Sequence, residues 1–394
     1  MRGHAMPVPT PFKVQVPDAK LAEIRARVEG YRWFPAPANE QGFAYGMSTE
    51  VMKDIQRYWL ETYDWRAAEA ELNRWPQFRA EVDGLPIHFV HVVGEAKGKR
   101  PLLITHGWPG SIYEFWQAIG PLAFPSQHGG KAEDAFDLVI PSLPGYGFSG
   151  KPASPLGQRA TAAMWDTLMR EVLGYSSYLA QGGDWGSMVT SWIGKNHGLS
   201  EGKGGAKAIH LNMMGFRPTP AVPQTAEETK WLQHSQMMMQ AEGAYLMQQA
   251  TKPQTLAMAL MDSPMGTAAW ILEKFHGWSD LTERGLFEVY TRDQLLTNVM
   301  IYLVNDAIAT SVWYYNALFQ EGGNGLPEGE RCETPTAFAS YPGERYIVAP
   351  PRSWADRAYN ITRWTDMPRG GHFAAMEAPE VYVEDVRAWA REVG

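Results

Sequence analysis

The segment Gln181-Gly182-Gly183-Asp184-Trp185-Gly186-Ser187 constrains this chain more than any other. Tyr175 to Ala180 before it are apolar and β-prone, and Ser187 to Asn196 after it can continue as a helix, so Asp184 stands on a sharp turn from strand to helix. Such a turn packs closely on its neighbours and needs small residues on both sides of its apex. Gly182 and Gly186 supply them. The pattern small-x-Asp-x-small presents a carboxylate nucleophile where turns of this kind more often present a serine, which moves the chemistry from acyl transfer to alkyl transfer. The competing reading is an Asp that only caps the helix after it.

The rest of the chain is consistent with a large enzyme domain around that turn. Its 394 residues suffice for one large α/β domain with insertions or for two modest ones. Charged residues make up 20% and aromatic residues 12%, with 16 Trp, a composition that buries a large apolar core and leaves aromatic side chains to line a cavity. A formal net charge of −8 with no Lys/Arg run argues against nucleic acid and against an anionic membrane surface as partners. Cys332, the single cysteine, has no intrachain disulfide partner and no nucleophile setting. Met1 to Met6 lead straight into Pro7-Val8-Pro9 without an apolar signal region, and no run of about 18 apolar residues follows, so a cytoplasmic protein without a membrane anchor is expected.

Along the chain, residues 1–76 read as an N-terminal extension, helical from residue 11 to about 75, with helices over Lys20 to Val28 and Thr49 to Thr62. Residues 77–216 read as the first part of a core. They hold a hairpin through Asp83-Gly84, buried strands at Pro101 to Thr105 and Phe136 to Pro141, a crossover helix at Ala160 to Leu173, and further strands at Tyr178 to Gln181 and Ala208 to Met213. Residues 217–330 lose the strand–helix alternation and read as an inserted helical lid rich in Met, Leu, Trp and Tyr. Residues 331–394 return to the core with strands at Pro335 to Ser340 and Ile361 to Thr365 and a closing helix at Pro379 to Glu392.

A nucleophile on such a turn works with an acid and a histidine that follow it in that order. His372, in Arg369-Gly370-Gly371-His372-Phe373, lies in a glycine-rich loop after the last strand and is the best base among ten histidines. His106-Gly107-Trp108-Pro109-Gly110 ends the strand at Thr105, where the backbone N–H of Trp108 can form half of an oxyanion hole and that of Trp185 the other half. The His106 ring is expected to brace this loop. Gly145-Tyr146-Gly147-Phe148-Ser149-Gly150 fits a dinucleotide fingerprint in letters only, since Lys151-Pro152 follows where a helix should start. His88 and His91 would face opposite sides of a strand, so no metal-ligand cluster remains and no cofactor is expected.

With Pro11-Phe12-Lys13-Val14, Asp262-Ser263-Pro264, Glu273-Lys274-Phe275, Leu295 to Met300 and Gly370 to Ala375 added to these motifs, the chain resembles the epoxide hydrolases of the α/β-hydrolase superfamily. The likeness is to the microsomal and juvenile-hormone branch and runs over almost the full length. It implies an α/β fold, namely a mostly parallel sheet flanked by helices with an inserted helical lid and a helical N-terminal extension. It also implies an ether-bond hydrolase acting on a small apolar epoxide and water through an ester on Asp184. The acid of that family lies in an aromatic-Pro-x-Glu/Asp turn, which Tyr341-Pro342-Gly343-Glu344 matches, with Asp356 and Asp366 as competitors. Two lid tyrosines of the family correspond to Tyr245 and to Tyr315, with Tyr314 as a rival for the second. Trp185, Trp270 and Phe373 are candidates for lining the pocket. Haloalkane dehalogenases share the elbow and the base but need no proton donor, and a non-catalytic ligand sensor on the same scaffold is a second alternative. Exposed apolar residues of the lid or N-terminal segment are compatible with a homodimer.

Overall fold

The computed structural model of the chain describes residues 8–394 except 97, 99 and 201, so the Met1 to Met6 segment lies outside the described residues. Among these, nine strands form one sheet: β1 (Thr10–Phe12), β2 (Gln77–Val82), β3 (Leu85–Val92), β4 (Pro101–Thr105), β5 (Asp137–Pro141), β6 (Ser177–Gly182), β7 (Gly205–Leu211), β8 (Cys332–Ser340) and β9 (Tyr359–Asp366). Their order is β1-β2-β3-β5-β4-β6-β7-β8-β9, antiparallel from β1 to β5 and parallel from there to β9. Every residue of β4 and β5 is buried, as expected of short apolar strands covered by helices on both faces. The helices Gln158–Thr167 and Trp185–His197 make the crossovers on either side of β6.

From β4 the chain moves to one side, to β5, and then returns across β4 to β6. The C-terminal ends of β4 and β6, paired at Thr105 and Gly182, therefore flank the point where the strand order reverses. Loops leaving the sheet there diverge and open a crevice, where α/β sheets place their ligands. Between β7 and β8 the elements, apart from an isolated bridge of Arg217 to Gly325, are helices. They run from Ala226–Glu242 through Ala244–Thr251, Pro253–Asp262, Pro264–Trp278, Leu286–Val289 and Arg292–Val304 to Ala307–Gln320.

The N-terminal segment departs from the helical reading at one end. Helices occur at Asp18–Glu29, Thr49–Glu61 and Trp65–Leu72, but Thr10–Phe12 is a strand on the edge of the sheet. Three residues carry no readable periodicity, and Pro11, which has no N–H to give, is tolerated on an edge. The same segment grips the helical insertion between β7 and β8, the cap. Lys20 pairs with Asp306 at 2.8 Å, Arg292 with Asp54 at 2.6 Å, and the Tyr63 hydroxyl meets Thr297 Oγ1 at 3.1 Å. None of the described helices is by itself long and apolar enough to cross a membrane.

Candidate active site

Asp184 sits at the apex of the turn with φ 49° and ψ −128°, a left-handed conformation that costs a non-glycine residue about 1–3 kcal/mol. The surroundings leave no alternative. A Cβ on Gly182 would run into the Gly186 carbonyl, one on Gly186 into the Thr105 carbonyl, and one on Gly107 into the Asp184 carboxylate itself. The elbow is thus wedged between β6, its own helix and the loop that leaves β4. The side chain of Asp184 is not spent on a helix cap; its Oδ1 accepts from the Trp108 N–H at 2.8 Å. Trp185 opens the following helix, so its N–H belongs to a first turn that lacks carbonyl partners within the helix.

Two other loops from the ends of parallel strands converge on this point. After β9, His372 points Nε2 at Asp184 Oδ2 from 3.3 Å, and its Nδ1 meets Glu344 Oε2 at 2.5 Å. Glu344, from the turn after β8, is held in turn by the N–H groups of Tyr346 at 3.1 Å and Ile347 at 3.0 Å on its Oε1. The other carboxylates considered go elsewhere: Asp356 lies near Arg352, and Asp366 accepts from the Trp364 indole. Burial alone would push the His372 imidazole down, but the Glu344 and Asp184 carboxylates outweigh it and hold the ring well above the usual histidine range.

His106 is buried as well, with a different outcome. Its Nδ1 faces the Gly107 carbonyl at 2.9 Å and its Nε2 accepts from the Leu143 N–H at 3.1 Å, so the ring braces the loop as expected. Burial pushes it down to about 4, which keeps it neutral. The loop is also pinned from the cap helix Arg292–Val304. Asn298 Nδ2 donates to the Pro109 carbonyl at 2.8 Å and the Tyr302 hydroxyl to that of Gly110 at 2.5 Å.

The cap closes the site with aromatic rings. Tyr245, from the helix Ala244–Thr251, stacks on Trp108 with centroids 5.4 Å apart; Tyr315, from the helix Ala307–Gln320, meets Trp108 at 5.7 Å and Trp185 at 4.6 Å. The Tyr245 ring lies edge to face with that of Tyr315 at 5.8 Å and with that of Tyr346 at 6.0 Å. Burial is the main cause that raises Tyr245 and Tyr315 far above the ordinary tyrosine range, so they stay protonated and able to donate. Tyr314 also packs on Trp185, at 5.4 Å, but its hydroxyl donates to Thr161 Oγ1 at 2.8 Å, in keeping with the roughly 100° rotation per residue of a helix.

Of the pocket candidates, Trp185 lies against Tyr315. Phe373 follows His372 and stacks on Phe275 at 4.0 Å, and Trp270 donates its indole N–H to Gln249, one turn beyond Tyr245. Three neighbours escaped the sequence reading: Tyr346, Trp278 and Glu377. Trp278 meets His372 at 4.7 Å and Tyr245 at 5.2 Å, and its carbonyl accepts from the His372 N–H at 3.1 Å. Glu377, pushed up to about 7 by burial, ties Phe373 to Asp280 through their N–H groups at 2.8 and 2.7 Å. The spacing Lys274 to Trp278 on one helix face was the available signal for Trp278. Gly145 to Gly150 forms a turn closed by the Gly145 N–H on the Gly150 carbonyl and meets the cap through Thr310, with no helix start beside it. His88 bonds Ser142 and Gln77 while His91 bonds Tyr175.

Comparisons with known proteins point to one family. Residues 9–115 match the family model for the epoxide hydrolase N terminus and residues 100–261 that for the alpha/beta hydrolase fold. A protein of Stigmatella aurantiaca assigned as an epoxide hydrolase is 38% identical over 98% of this chain and 85% of its own length. Epoxide hydrolase 1 of Sus scrofa is 34% identical over 96% of this chain and 87% of its own. The crystal structure of juvenile hormone epoxide hydrolase from the silkworm Bombyx mori superposes with a TM-score of 0.85 at 30% identity, covering 98% of this chain and 94% of that one. With relatives of that name at 34% and 38% identity over nearly the whole chain, the chain belongs to the epoxide hydrolases of the α/β-hydrolase fold.

Proposed function

We propose that the chain converts an apolar epoxide and water into a vicinal diol in two steps, with Asp184 as nucleophile, His372 and Glu344 as base and orienting acid, and Tyr245 and Tyr315 as proton donors. In the first step Asp184 Oδ2 attacks a ring carbon and the carbon–oxygen bond of the strained ring breaks. The departing oxygen takes a proton from one of the two phenols, a form of assistance that typically contributes about 10²–10⁴-fold. Asp184 Oδ1 remains on the Trp108 N–H and becomes the ester carbonyl oxygen.

Esterification removes the charge of Asp184, and with it part of what holds a proton on His372. The imidazole thereby becomes a base when one is needed, and the proton it releases balances the one the phenol has given. His372 then takes a proton from water, whose oxygen attacks the ester carbonyl carbon. The Trp108 and Trp185 N–H groups receive the oxyanion, each worth about 10²–10³-fold by analogy with other such donors. Collapse restores the carboxylate and the diol leaves with the second proton.

The observation that carries this reading is the placing of two protonated phenols over the same tryptophan whose N–H holds Asp184. A haloalkane dehalogenase has no use for them, because halide leaves without a proton. The aromatic walls favour a bulky apolar epoxide. Purified protein offered an aryl epoxide and, separately, a chloroalkane of similar size should form diol and release no halide. Halide release without diol would reverse the assignment.

A further inference from the structure

Lys274, in the cap helix Pro264–Trp278, is only 3% exposed. Its Nζ lies over the face of the Tyr245 ring, 4.4 Å from the centroid, and 5.7 Å from that of Trp278. Nζ also pairs with Glu273 Oε1 at 3.1 Å, on a side chain 31% exposed. Adjacent residues on a helix point about 100° apart. A lysine serving only that pair would follow Glu273 outwards, whereas this stem carries the ammonium inwards to the aromatic box. Removing an ammonium from water is unfavourable unless the interior compensates it, and a ring face compensates only in part.

Glu273, itself partly exposed, supplies some of that compensation at rest, and the reaction supplies more. As the ester forms, negative charge leaves Asp184 and reappears on the epoxide oxygen and, once the proton has moved, on Tyr245. The groups facing Tyr245 are Asp184, the neutral phenols Tyr315 and Tyr346, and Lys274, with Glu242 beyond Tyr346. Of these Lys274 is the cation. A fixed ammonium interacts modestly with the quadrupole of a neutral phenol and far more with a ring that bears charge, so its attraction grows on the way to the transition state.

We infer that Lys274 is a positioning residue for ring opening, holding the Tyr245 ring and compensating the charge that develops on it. The inference rests on Tyr245 as a proton donor, and the test separates the two. Ester formation and ester hydrolysis are timed by rapid quench and intact-protein mass on the wild type, K274M, K274R, Y245F and the double variant Y245F/K274M. K274M should slow ester formation roughly tenfold while hydrolysis stays within about twofold. K274R, which keeps a cation over the ring, should recover most of the rate. In the Y245F background the lysine change should add nothing further. Equal slowing of both steps in K274M and K274R, or a full additional loss in the double variant, would overturn the inference. Ester formation unaffected by Y245F would instead overturn the donor role, and the lysine inference with it.

Discussion

Asp184, Trp108, Glu344 and His372 come from loops at the ends of parallel strands and are fixed largely by main-chain contacts, whereas Tyr245, Tyr315 and Lys274 come from three cap helices and meet ring against ring. In the first group Asp184 can be held in a strained conformation because three glycines leave its turn no other path. Glu344 is pinned by two backbone N–H groups and the His372 loop by the Trp278 carbonyl. In the second group the contacts are aromatic centroids 4.6 to 6.0 Å apart and an ammonium over a ring, which tolerate small shifts. The difference assigns labour. Bond making at one fixed carboxylate needs rigid placement, and admitting different epoxides needs a wall that can adjust, so substrate range should reside in the cap.

That division can be broken most severely at His372. His372→Ala should slow ester hydrolysis by roughly 10⁴-fold while ester formation continues, so the mass of one substrate should accumulate on the protein. Intact-protein mass spectrometry without such an adduct would contradict the roles given to the sheet-borne half. The cap-borne half should give the mirror image. Tyr245→Phe with Tyr315→Phe should reduce ester formation by roughly 10²–10³-fold, and any ester made should hydrolyse normally, as single-turnover kinetics would show.

Stability should divide the halves in the opposite sense. Gly186→Ala forces a Cβ into the Thr105 carbonyl and should cost about 3 kcal/mol or prevent folding. Tyr315→Phe removes one hydroxyl and should cost about 1 kcal/mol in urea unfolding. Equal costs would mean that the elbow is not the rigid element.

A smaller contrast lies between the two buried histidines. His106, pushed down to about 4, is neutral when folded and gains a proton more readily when unfolded. Its contribution is therefore complete above the ordinary histidine range near 6.5 and is lost as pH falls from there through about 4, at up to about 1.4 kcal/mol per pH unit. His372, raised by its carboxylates, contributes stability below about 6.5 that declines as pH rises through its folded value. Replacing Asp184 by Ala should lower the His372 pKa, seen by NMR of the imidazole, and lower that of His106 by less, because Asp184 acts on His372 through both a hydrogen bond and its charge but on His106 through its charge alone.

Much of this was legible in the residues. The elbow, the His106 brace, the Asp83-Gly84 hairpin and the buried strands each follow from local rules, because their contacts are made close along the chain or dictated by strand order. Asp83 and Gly84 do adopt positive φ, as a two-residue hairpin turn asks. The cap was legible only as a helical insertion. Which of Tyr314 and Tyr315 meets Trp108 depended on one residue of helical phase, and the ring that does so is that of Tyr315, while the Tyr314 hydroxyl bonds Thr161. Lys274 and Trp278 share one helix face, but that spacing does not say what the face meets, since helix packing between segments some thirty residues apart brings them to Tyr245. The edge strand at Pro11 was missed because its partner, Phe78, is remote in sequence.

The central claim is that Asp184 becomes an ester, and a single turnover of excess enzyme with an aryl epoxide in ¹⁸O-water tests it most directly. The account predicts label in the peptide that contains Asp184 and an unlabelled diol, because water attacks the ester carbonyl carbon and the oxygen that leaves with the product came from the carboxylate. Label in the diol alone would mean direct attack of water on the epoxide and would reduce Asp184 to a base.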